Sequence, residues 1–369
     1  MKLICSKSDL LNGVQIVSKA VPSKTTMSIL ECILVDATKG IIKLTANDTE
    51  LGIDTIIDGK IVEKGMVALD AKIFFEIIRK LPDNDITIET DSTYKTVITC
   101  EKAKFTIIGK SGEDFSYLPV IEKNAPVIMS QFTLKEAVRQ TIFSIADNDT
   151  NKIMTGELFE INNDQLRVVS LDGHRISIRK IKMKNSYEPK KVIIPGKTLN
   201  EISKILSGDA DKDVSIYFTD KHALFEFDNT VVVSRLIEGE YFKIDQMLSN
   251  DYETKLKINK KEFMNCIDRA TLLSKEGDKK PIIININDNA MQLKIRSTIG
   301  SMNEEIDIEK NGRDLMIGFN PKFLIDALRV IDDETVSIYL MNAKSPCFIR
   351  DDENNYIYLI LPVNFTDVD

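Results

Sequence analysis

The sequence predicts an α+β chain of three tandem similar domains, each holding two helix-plus-antiparallel-sheet units. Two observations carry this prediction. Amphipathic helical stretches begin near Lys7, Lys72, Lys135, Lys197, Lys261 and Lys322, at intervals of 61 to 65 residues. Short strand-like runs fill most of the sequence between them, and one helix per unit of this size is too few for regular βαβ alternation.

The helices follow from apolar spacing. Residues 7–20 set Leu10, Val14 and Val17 on one face, 72–81 set Phe74, Ile77, Ile78 and Leu81, and 133–146 set Leu134, Ala137, Val138, Ile142 and Ile145. Residues 197–206 use Leu199, Ile202, Ile205 and Leu206, 260–273 use Phe263, Ile267, Ala270 and Leu273, and 322–331 use Phe323, Leu324, Ala327, Leu328 and Ile331. Such intervals suit helices resting on a sheet. Pro82 follows the second stretch, Pro195-Gly196 precedes the fourth, and Asn320-Pro321 reads as a cap followed by a first-turn proline.

Strands are expected at 29–36, 41–47, 86–90, 96–100, 157–161, 165–170, 214–218, 231–237, 282–286, 291–297, 335–340 and 356–361. Their shortness, and turns such as Asn162-Asn163 and Asn287-Asp288-Asn289, favour antiparallel sheets. A single helix with a few strands has a limited core, so adjacent units are paired into domains 1–124, 125–250 and 251–369. The polar turns Glu122-Lys123-Asn124 and Ser249-Asn250-Asp251 supply the boundaries.

Composition narrows the class. No run of 18 apolar residues occurs, and Lys2, Lys7 and Asp9 interrupt the amino-terminal sequence, so a soluble intracellular protein is expected, with no membrane partner. Cys5, Cys32, Cys100, Cys266 and Cys347 form no CxxC pair, which points to buried free thiols. The formal net charge of −8 repels phosphate on average, so nucleic-acid binding requires a local basic surface.

The helices supply recurrent cations: Lys72, Arg79 and Lys80; Lys135 and Arg139; Lys197 and Lys204; Lys260, Lys261 and Arg269; Lys322 and Arg329. Acidic residues intervene, so weak phosphate attraction fits better than base reading. Repeated α+β domains without a shared DNA surface remain compatible with the pattern at this point. Catalytic motifs are weak. His174 stands beside Asp172 and Arg175 without a persuasive nucleophile, and with His222 it completes the histidine count, which disfavours a multi-histidine zinc centre. Pro195-Gly196-Lys197-Thr198 lacks the glycine a phosphate loop needs at Lys191. No cofactor, metal or enzymatic activity is expected.

Several blocks resemble the bacterial DNA polymerase III beta subunit. They are 29–35 (Ile-Leu-Glu-Cys-Ile-Leu-Val), 72–82, 170–178 (Ser-Leu-Asp-Gly-His-Arg-Ile-Ser-Ile), 234–239, Gly318-Phe319-Asn320 and Tyr358-Leu359-Ile360-Leu361-Pro362. They occur in order over nearly the whole chain. The resemblance implies the DNA clamp fold and a head-to-tail homodimeric ring that encircles duplex DNA without sequence specificity. It implies a cytoplasmic processivity factor, nucleoid-associated during replication, that tethers the replicative polymerase alpha subunit, the clamp loader and repair proteins.

By the same resemblance, Phe105 and Ile107 would meet Leu272 and Leu273 of a second copy, and Lys24 joins the helix cations as a DNA contact. A peptide cleft would be lined by Met154, Leu171, Gly173, His174, Arg175, Ile176, Phe242, Met247, Asn320, Phe323, Leu361, Pro362 and Val363. It would take a short motif containing glutamine and terminal hydrophobic residues, with Arg175 and Asn320 orienting the peptide. The sequence departs from the family at Asn151 and Gly196, where basic residues are frequent. It departs again at Leu171, Phe242 and Ile244, where threonine, proline and tyrosine are common, and in an extended carboxyl end. These departures imply an altered peptide preference. Two other classes stay open on the residues alone: a protein-binding adaptor without DNA, and a hydrolase built on an unfamiliar repeated domain.

Overall fold

Six α-helices occur among the described residues: α1 Lys7–Val17, α2 Ala71–Lys80, α3 Gln131–Arg139, α4 Gly196–Ile205, α5 Lys260–Thr271 and α6 Pro321–Val330. The computed structural model describes residues 1–115, 118–147, 150–273 and 280–365. Side-chain caps start five of the helices, with Ser6, Asp70, Ser130, Asn259 and Asn320 each accepting a first-turn backbone N–H at 2.8–3.1 Å. Each satisfies a donor that the helix cannot satisfy itself. Lys7 and Lys260 open α1 and α5, and their Nζ atoms donate to the carbonyls of Leu81 and Ile331, which end α2 and α6 (2.5 Å each). A cation at the negative end of a helix dipole thus ties each helix pair together.

The third helix is shorter than its apolar spacing predicts. It ends at Arg139, where Thr141 Oγ1 donates back to the Ala137 carbonyl (2.7 Å) and the Thr141 carbonyl accepts from Ser170 Oγ (2.5 Å). With that carbonyl engaged by a strand, the chain continues as a short 3-10 turn, Ile142–Ser144.

The chain divides into two compact units, 1–135 with 200–236, and 136–199 with 237–369. In the first, strands Lys60–Glu63, Lys2–Ser6, Asp85–Thr90, Lys95–Cys100 and Ala103–Ile108 form one antiparallel sheet in that order. An eight-stranded sheet runs Val127–Ser130, Asp213–Phe218, His222–Phe227, Thr230–Arg235, Leu51–Ile57, Ile42–Asn47, Cys32–Asp36 and Met66–Asp70. Its central seam pairs Thr230 with Thr55 and Ser234 with Leu51, and the Thr55 and Thr230 hydroxyls hydrogen-bond at 2.9 Å. Strands from successive thirds of the chain therefore share one sheet, and the unit boundaries cut through α3 and α4.

The second unit repeats this plan. Strands Gly156–Leu171, Arg175–Pro195, Tyr356–Ile360, Cys347–Arg350, Thr335–Leu340, Thr254–Asn259 and Glu309–Gly312 form a seven-stranded sheet. Its seam pairs Arg179 with Tyr356 and Arg175 with Ile360. A four-stranded sheet runs Gly300–Asp307, Ala290–Ser297, Ile282–Asn287 and Leu315–Phe319. Phe263 and Ile267 of α5 and Leu324 and Leu328 of α6 pack into one core with Ile284, Leu293, Ile317 and Tyr358. Each such side chain, fully buried, contributes about 1.5–3 kcal/mol. All five cysteines are buried free thiols.

The predicted strand at 29–36 starts at Cys32, the preceding residues forming a turn. Sequence spacing also overlooks Leu51–Ile57, Ala103–Ile108 and Gly300–Asp307, all of which matter below.

Candidate functional site

Beside the second seam lies an apolar surface built from both sides of the strand pairing. Its buried floor includes Leu158, Val169, Leu171, Ile176, Ile178, Ile193, Ile357 and Leu359, with Ile153, Met154, Tyr241, Phe242 and Leu248 half-buried against it. Four residues expected from the sequence, Met154, Leu171, Ile176 and Phe242, fall in this cluster. Met247 and Leu361 are 46% and 38% exposed, an uncommon state for large apolar side chains. Tyr241 was not anticipated. It packs edge-on against Phe242 (centroids 5.9 Å apart), and its hydroxyl donates to the Val169 carbonyl at 3.3 Å.

The turn Asp172-Gly173-His174 shapes one end of this surface. Asp172 Oδ1 accepts the backbone N–H of His174 (3.0 Å) and Arg175 (3.2 Å), and Gly173 takes φ +87°, a left-handed conformation that favours glycine. The His174 carbonyl then accepts the Leu361 N–H at 2.9 Å, which fixes the start of the carboxyl tail. The Val363 N–H donates to the Gly318 carbonyl at 2.8 Å, so Leu361, Pro362 and Val363 are held on both sides.

Arg175 is 7% exposed and fully engaged within the chain. Its Nε donates to Asp172 (2.9 Å), one terminal nitrogen to Asp326 (2.8 Å) and the other to the Phe143 carbonyl (2.5 Å). The guanidinium also lies 4.4 Å from the Phe323 ring centroid and 5.5 Å from that of Phe143. Asn320 Oδ1 is occupied as the cap of α6. Both residues were expected to orient a peptide. Each also has an internal role: Arg175 fixes the Phe323 wall, and Asn320 Oδ1 fixes the start of its helix.

The candidate DNA contacts divide by partner. Arg79 pairs with Glu76 (2.6 Å) and Lys80 lies 3.8 Å from it, Arg139 pairs with Glu136 (2.6 Å) and Asp332 (3.1 Å), and Lys204 pairs with Glu201 (2.7 Å). Arg269 is bound to Glu304, and the hydrogen bond from Arg79 holds the Glu76 carboxyl below its usual range. Lys135 Nζ donates to the Leu206 carbonyl (3.1 Å), and Lys260 is spent on Ile331 as described. Lys24, Lys72, Lys197, Lys261, Lys322 and Arg329 are exposed, Lys197 having an interaction within the chain as well. In the first unit, Lys72 and Lys204 line a groove of about 1280 Å³ with Lys19 and with Lys212, which pairs with Asp228 (3.3 Å), and with Asp9 and Asp58.

The candidate subunit contacts lie at or beside sheet edges. Ala103–Ile108 ends its sheet, with Phe105 40% and Ile108 74% exposed and Ile107 intermediate. Gly300–Asp307 ends the four-stranded sheet, and beside it Leu272 is 78% exposed while Leu273 packs partly on the core.

Tandem helix-and-sheet repeats, seams that join successive thirds of the chain, and an apolar cluster at one seam define a clamp-type α+β protein. The chain matches the family models for the DNA polymerase III beta subunit over its whole plan: N-terminal domain at 1–119, central domain at 128–243 and C-terminal domain at 245–364. It is 34% identical to the beta sliding clamp of Staphylococcus aureus, covering 94% of each chain. Among solved structures it superposes on a putative DNA polymerase III beta subunit from Eubacterium rectale (TM-score 0.96, 72% identity, 99% of each chain). It also superposes on the sliding clamp of Bacillus subtilis (TM-score 0.95, 32% identity, 99% of this chain and 100% of that one). The chain belongs to the DNA polymerase III beta subunit family, the bacterial sliding clamps. These are non-catalytic processivity subunits, so the Asp172–His174–Arg175 cluster is a structural turn.

Proposed function

We propose that two copies of this chain close head to tail into a ring around duplex DNA and present the cleft at the second seam to short apolar peptides. The observation that carries the cleft is the apolar cluster at the second seam, with Met154, Tyr241 and Phe242 half-buried against it, in a chain region that also exposes Met247 and Leu361. Its occupants are motifs of the replicative polymerase alpha subunit, the clamp loader and repair proteins, and its cellular setting is the cytoplasm, at the nucleoid during replication. Leu171 in the floor and Phe242 packed against it depart from the common threonine and proline, which favours an altered preference for the hydrophobic anchor. Residues 366–369 of the extended end lie outside the described residues.

Ring closure is supported by the two unpaired edges. The seams relate equivalent strands, and carrying their register forward sets Phe105 opposite Met302 of the partner subunit and Lys102 opposite the partner's Glu305. Main-chain pairing would supply the hydrogen bonds and the charges the orientation. Domain boundaries near 124 and 250 accompany this reading. The first lies in the unmatched stretch between the N-terminal and central family segments, the second just inside the C-terminal one.

The DNA role rests on topology, with the exposed helix cations and Lys24 giving weak phosphate contacts. The test combines solution mass with loader-dependent retention on nicked circular DNA. A particle of twice the 41.7 kDa chain mass that is lost on linearisation supports the ring. A monomer, or retention on linear DNA, overturns it.

A further inference from the structure

The two seams carry corresponding rows of paired positions, and in one of them the chain has filled part of the row itself. Across the second seam the paired residues run Tyr339, Phe348, Leu359, Ile176 and Leu171, each directly opposite the next, and all five belong to the cleft floor. Across the first seam the corresponding row runs Tyr217, Leu224, Val233, Gly52 and Asn47. Its first three members form a small apolar cluster of their own.

The rows differ at the last two positions, the fifth being polar Asn47 where the cleft has Leu171. Where the cleft has Ile176, the first seam has Gly52, and the space is taken by Leu118. A Cβ built on Gly52 would lie 1.9 Å from a Leu118 methyl, so any larger residue there must expel it. Leu118 and Ile121 pack on the Tyr217, Leu224 and Val233 cluster. Beside Leu118 a cavity of about 220 Å³ remains, rimmed by Asn47, Glu50 and His222. Between Leu118 and Ile121, Val120 is 99% exposed, so the segment sets those two on the sheet and turns Val120 to solvent.

We infer that the first seam is a second leucine-accepting peptide groove, held closed by the chain's own Leu118. The occupant on the page defines what fits: a leucine side chain over Gly52, followed by an extended segment, with polar groups at Asn47, Glu50 and His222 for its flanks. One external site per chain then follows from self-occupancy at the first seam, not from a lack of floor. The ligand class rests on the peptide-cleft reading above.

The test counts peptides per chain. A fluorescein-labelled pentapeptide beginning with glutamine and ending Leu-Phe is titrated into the full-length protein and into Leu118→Ala, with Leu118→Ser as a second variant. Each variant is first shown to keep the wild-type circular dichroism and solution mass. One peptide on the wild type and two on either folded variant is the expected result. One on each overturns this inference and leaves the cleft standing. None on the wild type but one on the variant supports the plugged groove and overturns the cleft. No binding to any form overturns both.

Discussion

Phe365 lies against the backbone of Gly318, so that a methyl group added at Gly318 would come within 2.7 Å of the ring and 2.9 Å of the Val363 carbonyl. The tail that borders the cleft is therefore seated by a residue beyond it, with the Val363–Gly318 hydrogen bond on one side and the Leu361–His174 bond on the other. Gly318→Ala must displace the ring and the tail together. Peptide affinity, read by fluorescence anisotropy, is expected to fall by about tenfold, or ~1.4 kcal/mol. Phe365→Ala should match it and Phe365→Tyr should restore most of the loss. Unchanged affinity in both Gly318→Ala and Phe365→Ala would remove the tail from the cleft wall.

Arg175 gives a larger effect on stability. Replacing it with leucine leaves Asp172 and Asp326 without their shared cation in a largely buried setting, and breaking a buried pair in this way costs about 3–5 kcal/mol. Lysine keeps the charge but not the planar fork that reaches two carboxylates and the Phe143 carbonyl at once. Urea denaturation is expected to rank wild type above Arg175→Lys and that above Arg175→Leu. A leucine variant as stable as the wild type would show that the brace is dispensable.

How much of this was legible in the sequence varies with the range of the interaction. The helices were, because apolar spacing is local, and the caps at Ser6, Asp70 and Asn259 carry side chains suited to the role even where spacing alone was used. The early end of α3 was not, because it depends on Ser170 reaching the Thr141 carbonyl from a strand. Edge strands were the hardest: Gly300–Asp307 reads Gly-Ser-Met-Asn-Glu-Glu-Ile-Asp and buries too little to show a clear alternation. In the cleft, Leu171 and Ile176 came from a family-like block, whereas the commitment of Arg175 to Phe143 and Asp326 is a tertiary fact that no local pattern encodes.

Glu157 makes stability depend on pH. It sits fully buried in Gly156–Leu171, and burial pushes its carboxyl up to about 8. The nearby Thr141 hydroxyl lowers it only in part, because its one proton goes to the Ala137 carbonyl and both Glu157 carboxyl oxygens are left without a hydrogen-bond partner. In the unfolded chain the same group titrates near ~4.3. Between those values the folded chain keeps a proton that the unfolded chain releases, so stability is full below about pH 4 and falls as pH rises towards about 8, then levels off. Glu157→Leu should raise the melting temperature relative to wild type, with the gap widening from pH 5 to pH 8. A gap that stays constant over that range would mean Glu157 is ionised in the fold.

Edge pairing between subunits can be fixed to a single register. If the third junction repeats the two observed seams, Phe105 faces Met302 of the partner subunit, as Val232 faces Ile53 and Tyr358 faces Ser177. Directly opposed residues in an antiparallel pair bring their Cβ atoms to roughly 4.5–5.5 Å, close to the spacing a disulfide tolerates. The five native cysteines are buried and compete little for an added thiol. The double variant Phe105→Cys with Met302→Cys should therefore form a covalent dimer under mild oxidant, seen on a non-reducing gel. Phe105→Cys with Glu304→Cys, two positions along, should link poorly, because diagonal neighbours lie about 7–8 Å apart. Equal linking in both would mean the edges slide, and linking in neither would place the subunit contact elsewhere.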